Sequence, residues 1–408
     1  MTRRKVLFFA EGATLAHVAR PFVVARALDP ERFEVVFARP ESFDWLTKDA
    51  AFQIRPLACQ AASVFARRLD HGLPLYDLPT LRHYVADDLA LIDAEQPDII
   101  VGDFRLSLSV SARLRSIPYA TICDAYWSPE RSLPTPLPVF AWTRFAPLSV
   151  TGPIFRWISP FAMRLHAQAL ESLRALHGLP SLGYDLRRCY TDADLRLFAN
   201  FPELFPAVRN SRHAAFIGPI AWSPDASALA LEFDDGTEAP LIYVTMGSSG
   251  DPRVLRQLLP VLDATGARVL VASAGKPLPA GFASPRTQVF DYLPGQTVCE
   301  HADLVICNGG SPTTNQALSA GVPVLGIARN MDQFLNMQAI ERFGAGLLLR
   351  SDRASTSALQ QAISRLLEAP LFAARAQHLR NAATNNAQQR NFAPHLERLI
   401  GERVQPSI

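Results

Sequence analysis

Two separate sets of residues in this chain have the types and spacing that chemistry needs. In one, Asn308-Gly309-Gly310-Ser311-Pro312-Thr313 follows the apolar run Leu304 to Cys307. Glycines let an anion come close to the backbone. The open N–H groups at a helix start, with the helix dipole, favour a phosphate there. Pro312 removes one of those donors, so Ser311 and Thr313 must supply more of the contact. The acid–amide pair Asp332-Gln333 follows the next apolar run, Val322 to Ile327, where a second loop would face the same crevice. In the other set, His17 lies a few residues past the run Val6 to Ala10, and Asp103 closes the run Ile99 to Gly102. An imidazole held by a carboxylate makes a usable general base near neutral pH. Each signal has a plainer reading on its own. Every α/β protein has such turns, and a lone histidine or aspartate at a strand end often caps or packs. Sequence alone does not bring His17 and Asp103 into contact.

The apolar runs are the strands that must hold these residues. Runs of four to six apolar residues bounded by turn signals suit strands buried on both faces. The Asp303 to Gln333 segment reads as strand, glycine-rich turn, helix and parallel strand. Ser311 is expected to cap the helix, Pro312 to sit in its first turn, and Gly321 to stop it. Lys5 to Ala10, a helix over His17 to Leu28 and Phe33 to Ala38 form an opening βαβ unit, which implies a parallel sheet with a right-handed crossover. Ligands in such sheets sit at the carboxyl ends of the strands. Further strands are expected at Pro97 to Asp103, Tyr119 to Cys123, Leu241 to Thr245, Val269 to Ser273 and Val289 to Leu293. The fold class is α/β, with two doubly wound, Rossmann-like parallel-sheet domains facing across a cleft. The expected division is 1–220 for the first domain, 221–240 for a linker with an acidic stretch at Glu232 to Asp235, and 241–385 for the second domain. A last helical segment is expected over 386–408, where it can pack back on the first domain.

Composition sets the outer limits. The 408 residues are enough for two large cores, and 49% apolar with 19% charged residues describes a globular chain. A net charge of +2 gives no reason to expect a nucleic-acid partner. Five scattered cysteines, an odd count without metal-type spacing, suit a reducing compartment. The apolar part of the N-terminus is too short for a signal peptide, and no run of about 18 apolar residues spans a membrane. A cytoplasmic protein is expected. Asp192-Ala193-Asp194 has the form of a metal-binding DxD but reads as a solvated turn, so no metal is expected. Residues 133–166 are rich in proline and aromatics, with a helix over Phe155 to Leu170. That helix packs under loops, walls an apolar substrate, or rests on a membrane surface.

The second half of the chain resembles the family 1 glycosyltransferases of GT-B fold, including bacterial macrolide and natural-product enzymes and plant and animal UDP-glycosyltransferases. Their donor-binding pattern HGGxGTxxEAL, then GVP, then DQxxN, stands here as NGGSPTTNQAL at Asn308 to Leu318, GVP at Gly321 to Pro323 and DQFLN at Asp332 to Asn336. Their VSxGS stands as Val244-Thr245-Met246-Gly247-Ser248.

The resemblance implies roles. His17 would be the catalytic base and Asp103 the acid that orients it. Gly247 and Ser248 would bind the donor, Asn308, Gly310, Ser311 and Thr313 would surround its diphosphate, and Asp332 and Gln333 would meet its sugar hydroxyls. Pro294 would lie at the nucleobase and Gln316 at the ribose. The partners implied are a UDP- or dTDP-sugar and a small apolar acceptor, with no cofactor, no metal and at most peripheral membrane contact. The departures bear on the nucleotide more than on the fold. The family's phosphate-binding histidine is Asn308, its ribose-binding acid is Gln316, the second glycine of its GxG is Pro312, and Gly295 replaces a glutamine that recurs one place later as Gln296. The expected reaction is inverting transfer. The alternatives are a nucleotide-sugar epimerase on the same fold, a GT-B relative that binds without catalysing, and a lipid glycosyltransferase resting on a membrane through residues 140–161.

Overall fold

A computed structural model describes residues 3–223, 238–247, 250, 253–275, 284–385 and 392–404. Ser248 and the acidic stretch Glu232 to Asp235 lie outside the described residues.

The first sheet has seven parallel strands. In chain order they are β1 (Arg4–Ala10), β2 (Phe33–Arg39), β3 (Gln53–Pro56), β4 (Ile99–Asp103), β5 (Tyr119–Cys123), β6 (Leu195–Phe198) and β7 (Ala214–Phe216). In space they run β3-β2-β1-β4-β5-β6-β7. The central strands β4 and β5 are buried along their whole length, which is why they read as unbroken apolar runs. The order reverses direction beside β1, and Ala10 pairs in register with Asp103. The loops leaving β1 and β4 therefore open on one crevice.

The second sheet repeats the device with six parallel strands, β8 (Leu241–Thr245), β9 (Arg268–Ala272), β10 (Thr287–Phe290), β11 (Leu304–Cys307), β12 (Val324–Ala328) and β13 (Gly346–Arg350). Their order is β10-β9-β8-β11-β12-β13, and Cys307 pairs with Thr245 at the reversal. Strand β10 ends at Phe290, three residues short of the expected Leu293, which is buried outside the sheet.

Two helical expectations change. The last helical segment, expected over 386–408, is the helix Ala393–Val404, and a separate helix Pro370–Asn385 precedes it. Phe392, Leu396 and Ile400 join the core of the first sheet with Val18, Phe22 and Phe37. Each such side chain contributes roughly 1.5–3 kcal/mol on burial. The helix expected from Phe155 starts at Leu148 and runs to Leu176, with Pro153 and Pro160 inside it. Pro160 has no N–H for the carbonyl of Arg156, and the Ser159 hydroxyl donates to that carbonyl instead (3.1 Å). A further apolar cluster runs from Tyr126, Phe201 and Phe205 of the first half to Leu335 and Ile340 of the second.

Candidate active site

In the first crevice the chain leaves β1 and enters the helix Leu15–Arg26, which places His17 in the first turn. His17 Nδ1 is 2.8 Å from Asp103 Oδ1. With its proton on Nδ1 for that bond, the ring keeps Nε2 as its basic nitrogen. The ring stacks on Phe104, centroids 4.7 Å apart and planes 14° from parallel. Phe104 has φ +57°, a left-handed conformation that costs a bulky residue roughly 1–2 kcal/mol. That strain sits where the backbone must turn the phenyl ring under the imidazole.

Three residues after His17, on the same helix face, Arg20 forks onto Asp103 with two bonds of 2.8 Å and reaches Asp124 at 2.5 Å. Asn200 Nδ2 donates to the other oxygen of Asp124 (3.0 Å). Arg20 and both aspartates are buried. Burial works to lower the Arg20 pKa, but Asp103 and then Asp124 outweigh it and hold it well above its ordinary value. Two carboxylates against one guanidinium leave a net charge of −1 beside His17, which suits an imidazolium formed during reaction.

The second crevice is made of backbone and small polar groups. The helix Ser311–Ala320 starts one residue earlier than expected. Gly310 is its N-cap, Ser311 is already helical, and no side chain caps it. Intrahelical bonding begins with Thr314 N–H to Gly310 C=O (3.2 Å), which leaves the Ser311 and Thr313 N–H groups outside the ladder. Asn308 Oδ1 accepts from Gly310 N–H (3.1 Å). Gly247 (φ +54°) lies against Asn308, whose Nδ2 is 3.3 Å from where a Cβ would stand. Gly309 (φ +81°) passes over Met337, 2.6 Å from a notional Cβ, so no side chain fits there. Asn336 Nδ2 holds the turn through Gly309 C=O (2.9 Å) and Thr314 Oγ1 (2.8 Å).

The crevices meet at Asp332. Its carboxylate accepts from the Tyr126 hydroxyl (3.0 Å) and Trp127 Nε1 (2.9 Å), both on the first half of the chain. Burial, then the charge of Asp124, pushes the Asp332 carboxyl above its ordinary range. Gln333 is engaged with its own loop. Its Oε1 accepts from Arg329 N–H (2.8 Å) and it completes a capping box with Asn330 at the start of the helix Met331–Phe343, so its oxygen shapes the loop.

A cavity of about 430 Å³ joins the two sides. His17, Asp103, Gly247, Asn308, Gly310, Ser311, Thr313, Asp332 and Gln333 all line it, and its far end is apolar, with Phe65, Leu69, Phe155, Met163 and Tyr190. Pro294 and Gln316 are outside that lining. Pro294 is the N-cap of the helix Gly295–His301, and Gln316 donates to the carbonyl of Trp222 (2.8 Å). Trp222 itself lines the cavity. The DxD-like pair is structural. Asp192 is bridged to Arg174 (2.7 Å) and Arg113 (3.0 Å), and Asp194 accepts from Tyr119 N–H (2.9 Å). Among the described residues no group of three histidines, cysteines or acids is arranged for a metal.

Arg20, Phe104, Asp124, Tyr126 and Trp127 join the site without being marked by any of the motifs above. Arg20 was open to discovery, three residues from His17 on one helix. Asp124 follows a strand as Asp103 ends one. Nothing local links Tyr126 and Trp127 to Asp332, more than 200 residues away.

A family profile described as Erythromycin biosynthesis protein CIII-like, C-terminal domain, matches residues 265–399. The chain is 43% identical over 384 residues to a PGL/p-HBAD biosynthesis glycosyltransferase of Mycobacterium tuberculosis, covering 93% of this chain and 89% of that one. It is 42% identical over 371 residues to a PGL/p-HBAD biosynthesis rhamnosyltransferase of Mycobacterium bovis, covering 89% and 81%. Among solved structures, the glycosyltransferase of kitacinnamycin superposes with a TM-score of 0.72 at 18% identity, over 98% of this chain and 100% of that one. The spinosyn rhamnosyltransferase SpnG complexed with thymidine diphosphate gives 0.65 at 19% identity, over 97% and 100%. These likenesses show the GT-B fold.

Proposed function

This chain belongs to the glycosyltransferase family of the PGL/p-HBAD biosynthesis proteins, and we propose that it transfers a sugar, with inversion, from a nucleoside diphosphate to a hydroxyl of an apolar acceptor. The acceptor lies in the apolar end of the cavity with its hydroxyl at His17. His17 Nε2 takes the hydroxyl proton as the oxygen attacks the anomeric carbon, and Asp103 holds the tautomer and balances the imidazolium. The bond to the diphosphate breaks on the opposite face, and the leaving oxygen carries the electron pair to the helix start at Ser311 and Thr313. Asp332, on the sugar side, accepts from sugar hydroxyls when the contacts to Tyr126 and Trp127 loosen. Holding both substrates in line supplies much of the rate.

The observation that carries this reading is the His17–Asp103 pair at 2.8 Å, lining the same cavity as an uncapped helix start. The names of a rhamnosyltransferase relative and of a structural neighbour holding thymidine diphosphate favour a thymidine-linked deoxysugar, with uridine donors next. The test is incubation with dTDP-rhamnose or UDP-glucose and an alkyl phenol, read by mass spectrometry and by the anomeric coupling in the product NMR spectrum. The expected product has gained one sugar with inverted configuration. Retained configuration would remove the single-displacement mechanism, and donor isomerised without acceptor would favour the epimerase reading.

A further inference from the structure

The helix Leu148–Leu176 is apolar on two faces. One face gives Phe155, Ala162 and Met163 to the cavity. The other holds Ile154, Trp157, Phe161 and Leu165 in solvent, and the turn before it adds Trp142 and Phe145. Phe145 is 85% exposed, Trp157 83% and Phe161 77%. Apolar surface gathered to this extent marks an interaction site and is rare on a protein without a partner.

The turn is held so as to keep its aromatics out. Arg353, from the second half of the chain, donates to the carbonyls of Thr143 (3.0 Å), Arg144 (2.7 Å) and Ala146 (2.6 Å), and the Thr143 hydroxyl bonds Asp352 (2.5 Å). Charge then selects the partner. From residue 131 to residue 170 the sequence has four arginines and no aspartate or glutamate. Arg144, Arg156 and Arg164 are exposed among the aromatics. A second copy docking face to face would set these arginines against each other. An anionic bilayer accepts both components, with aromatic and aliphatic side chains in the headgroup boundary and guanidinium groups on the phosphates. No helix among the described residues is long and apolar enough to cross a membrane, so the contact is with its surface.

We propose that this face docks on an anionic lipid bilayer and that the apolar acceptor enters the cavity from that surface along the same helix. The docking stands on the exposed face alone; the acceptor route rests on the transfer reading above.

The test is flotation of the full chain with vesicles of phosphatidylcholine alone and with about 30 mol% phosphatidylglycerol. The protein should float with the anionic vesicles and much less with the neutral ones, and about 0.5 M salt should weaken its binding. Trp157→Glu with Phe161→Glu should lower the bound fraction at least about tenfold. Its unfolding temperature and its transfer to a water-soluble acceptor should be unchanged, because neither side chain lines the cavity. Arg144→Glu with Arg156→Glu should abolish the preference for anionic vesicles. Failure of the wild type to float with either vesicle, or flotation of the Trp157/Phe161 variant like wild type, would overturn the proposal. So would a dimer in light scattering that this variant dissolves, which would assign the face to a second copy. Flotation is read without turnover, so its failure is separate from failure of the transfer reading.

Discussion

At the carboxyl end of the first sheet, where Ala10 pairs with Asp103, the crevice holds an imidazole, a guanidinium and two carboxylates in one buried network. At the matching place in the second sheet, where Thr245 pairs with Cys307, the crevice holds glycines, an amide, two hydroxyls and a helix start. The topology is the same and the materials are opposite. A proton acceptor must be a side chain whose charge state is set by its neighbours. An anion cradle needs only N–H groups aimed from a fixed backbone, and side chains larger than hydrogen get in the way. On the proposed reading one fold divides the work, with tuned charge on one wall and shaped backbone on the other.

The contrast breaks most visibly at Arg20. Arg20→Leu removes the counter-ion of two buried carboxylates and should cost about 3–5 kcal/mol of stability in urea unfolding. A cost below 1 kcal/mol would mean that the first crevice does not depend on its charges. On the other wall the corresponding weak point is steric. Gly309→Ala brings a Cβ onto Met337 at φ +81°, at a cost of about 2–4 kcal/mol. Nucleoside diphosphate binding by that variant should weaken as well; unchanged affinity would show that the cradle lies elsewhere. The smallest effect concerns Asp332. Burial raises its pKa, so between the ordinary 3.8 and the raised value the folded protein keeps a proton that the unfolded chain has released. Stability contributed by this group therefore falls as pH rises through that window, by at most about 1.4 kcal/mol per pH unit. Asp332→Asn should flatten that part of the pH–stability curve, and an unaltered curve would place the titration on another acid.

The two walls also differed in how much the sequence revealed. The backbone cradle is contiguous, so Asn308 to Thr313 could be read as one motif, down to the helix that follows. Even there the helix begins one residue before the expected start, because Gly310 takes the extended conformation and stands as the N-cap in place of Ser311. His17 and Asp103 were readable as strand-end residues, while their contact depends on β1 lying beside β4, an adjacency that no local pattern encodes. Gln316 and Gln333 kept their places in the motif but are bonded elsewhere, to Trp222 and to the loop's own N–H groups. Pro153 hid the first turns of the helix Leu148–Leu176, since proline inside a helical run reads as a break.

The division of labour is tested most directly by His17→Ala, with transfer rate and donor affinity measured on the same preparation. The rate should fall by about 10²–10⁴-fold and the nucleoside diphosphate Kd should stay within about twofold of wild type, because His17 is assigned no part in holding the donor. A variant that transfers like wild type, or that loses donor binding along with rate, would contradict it.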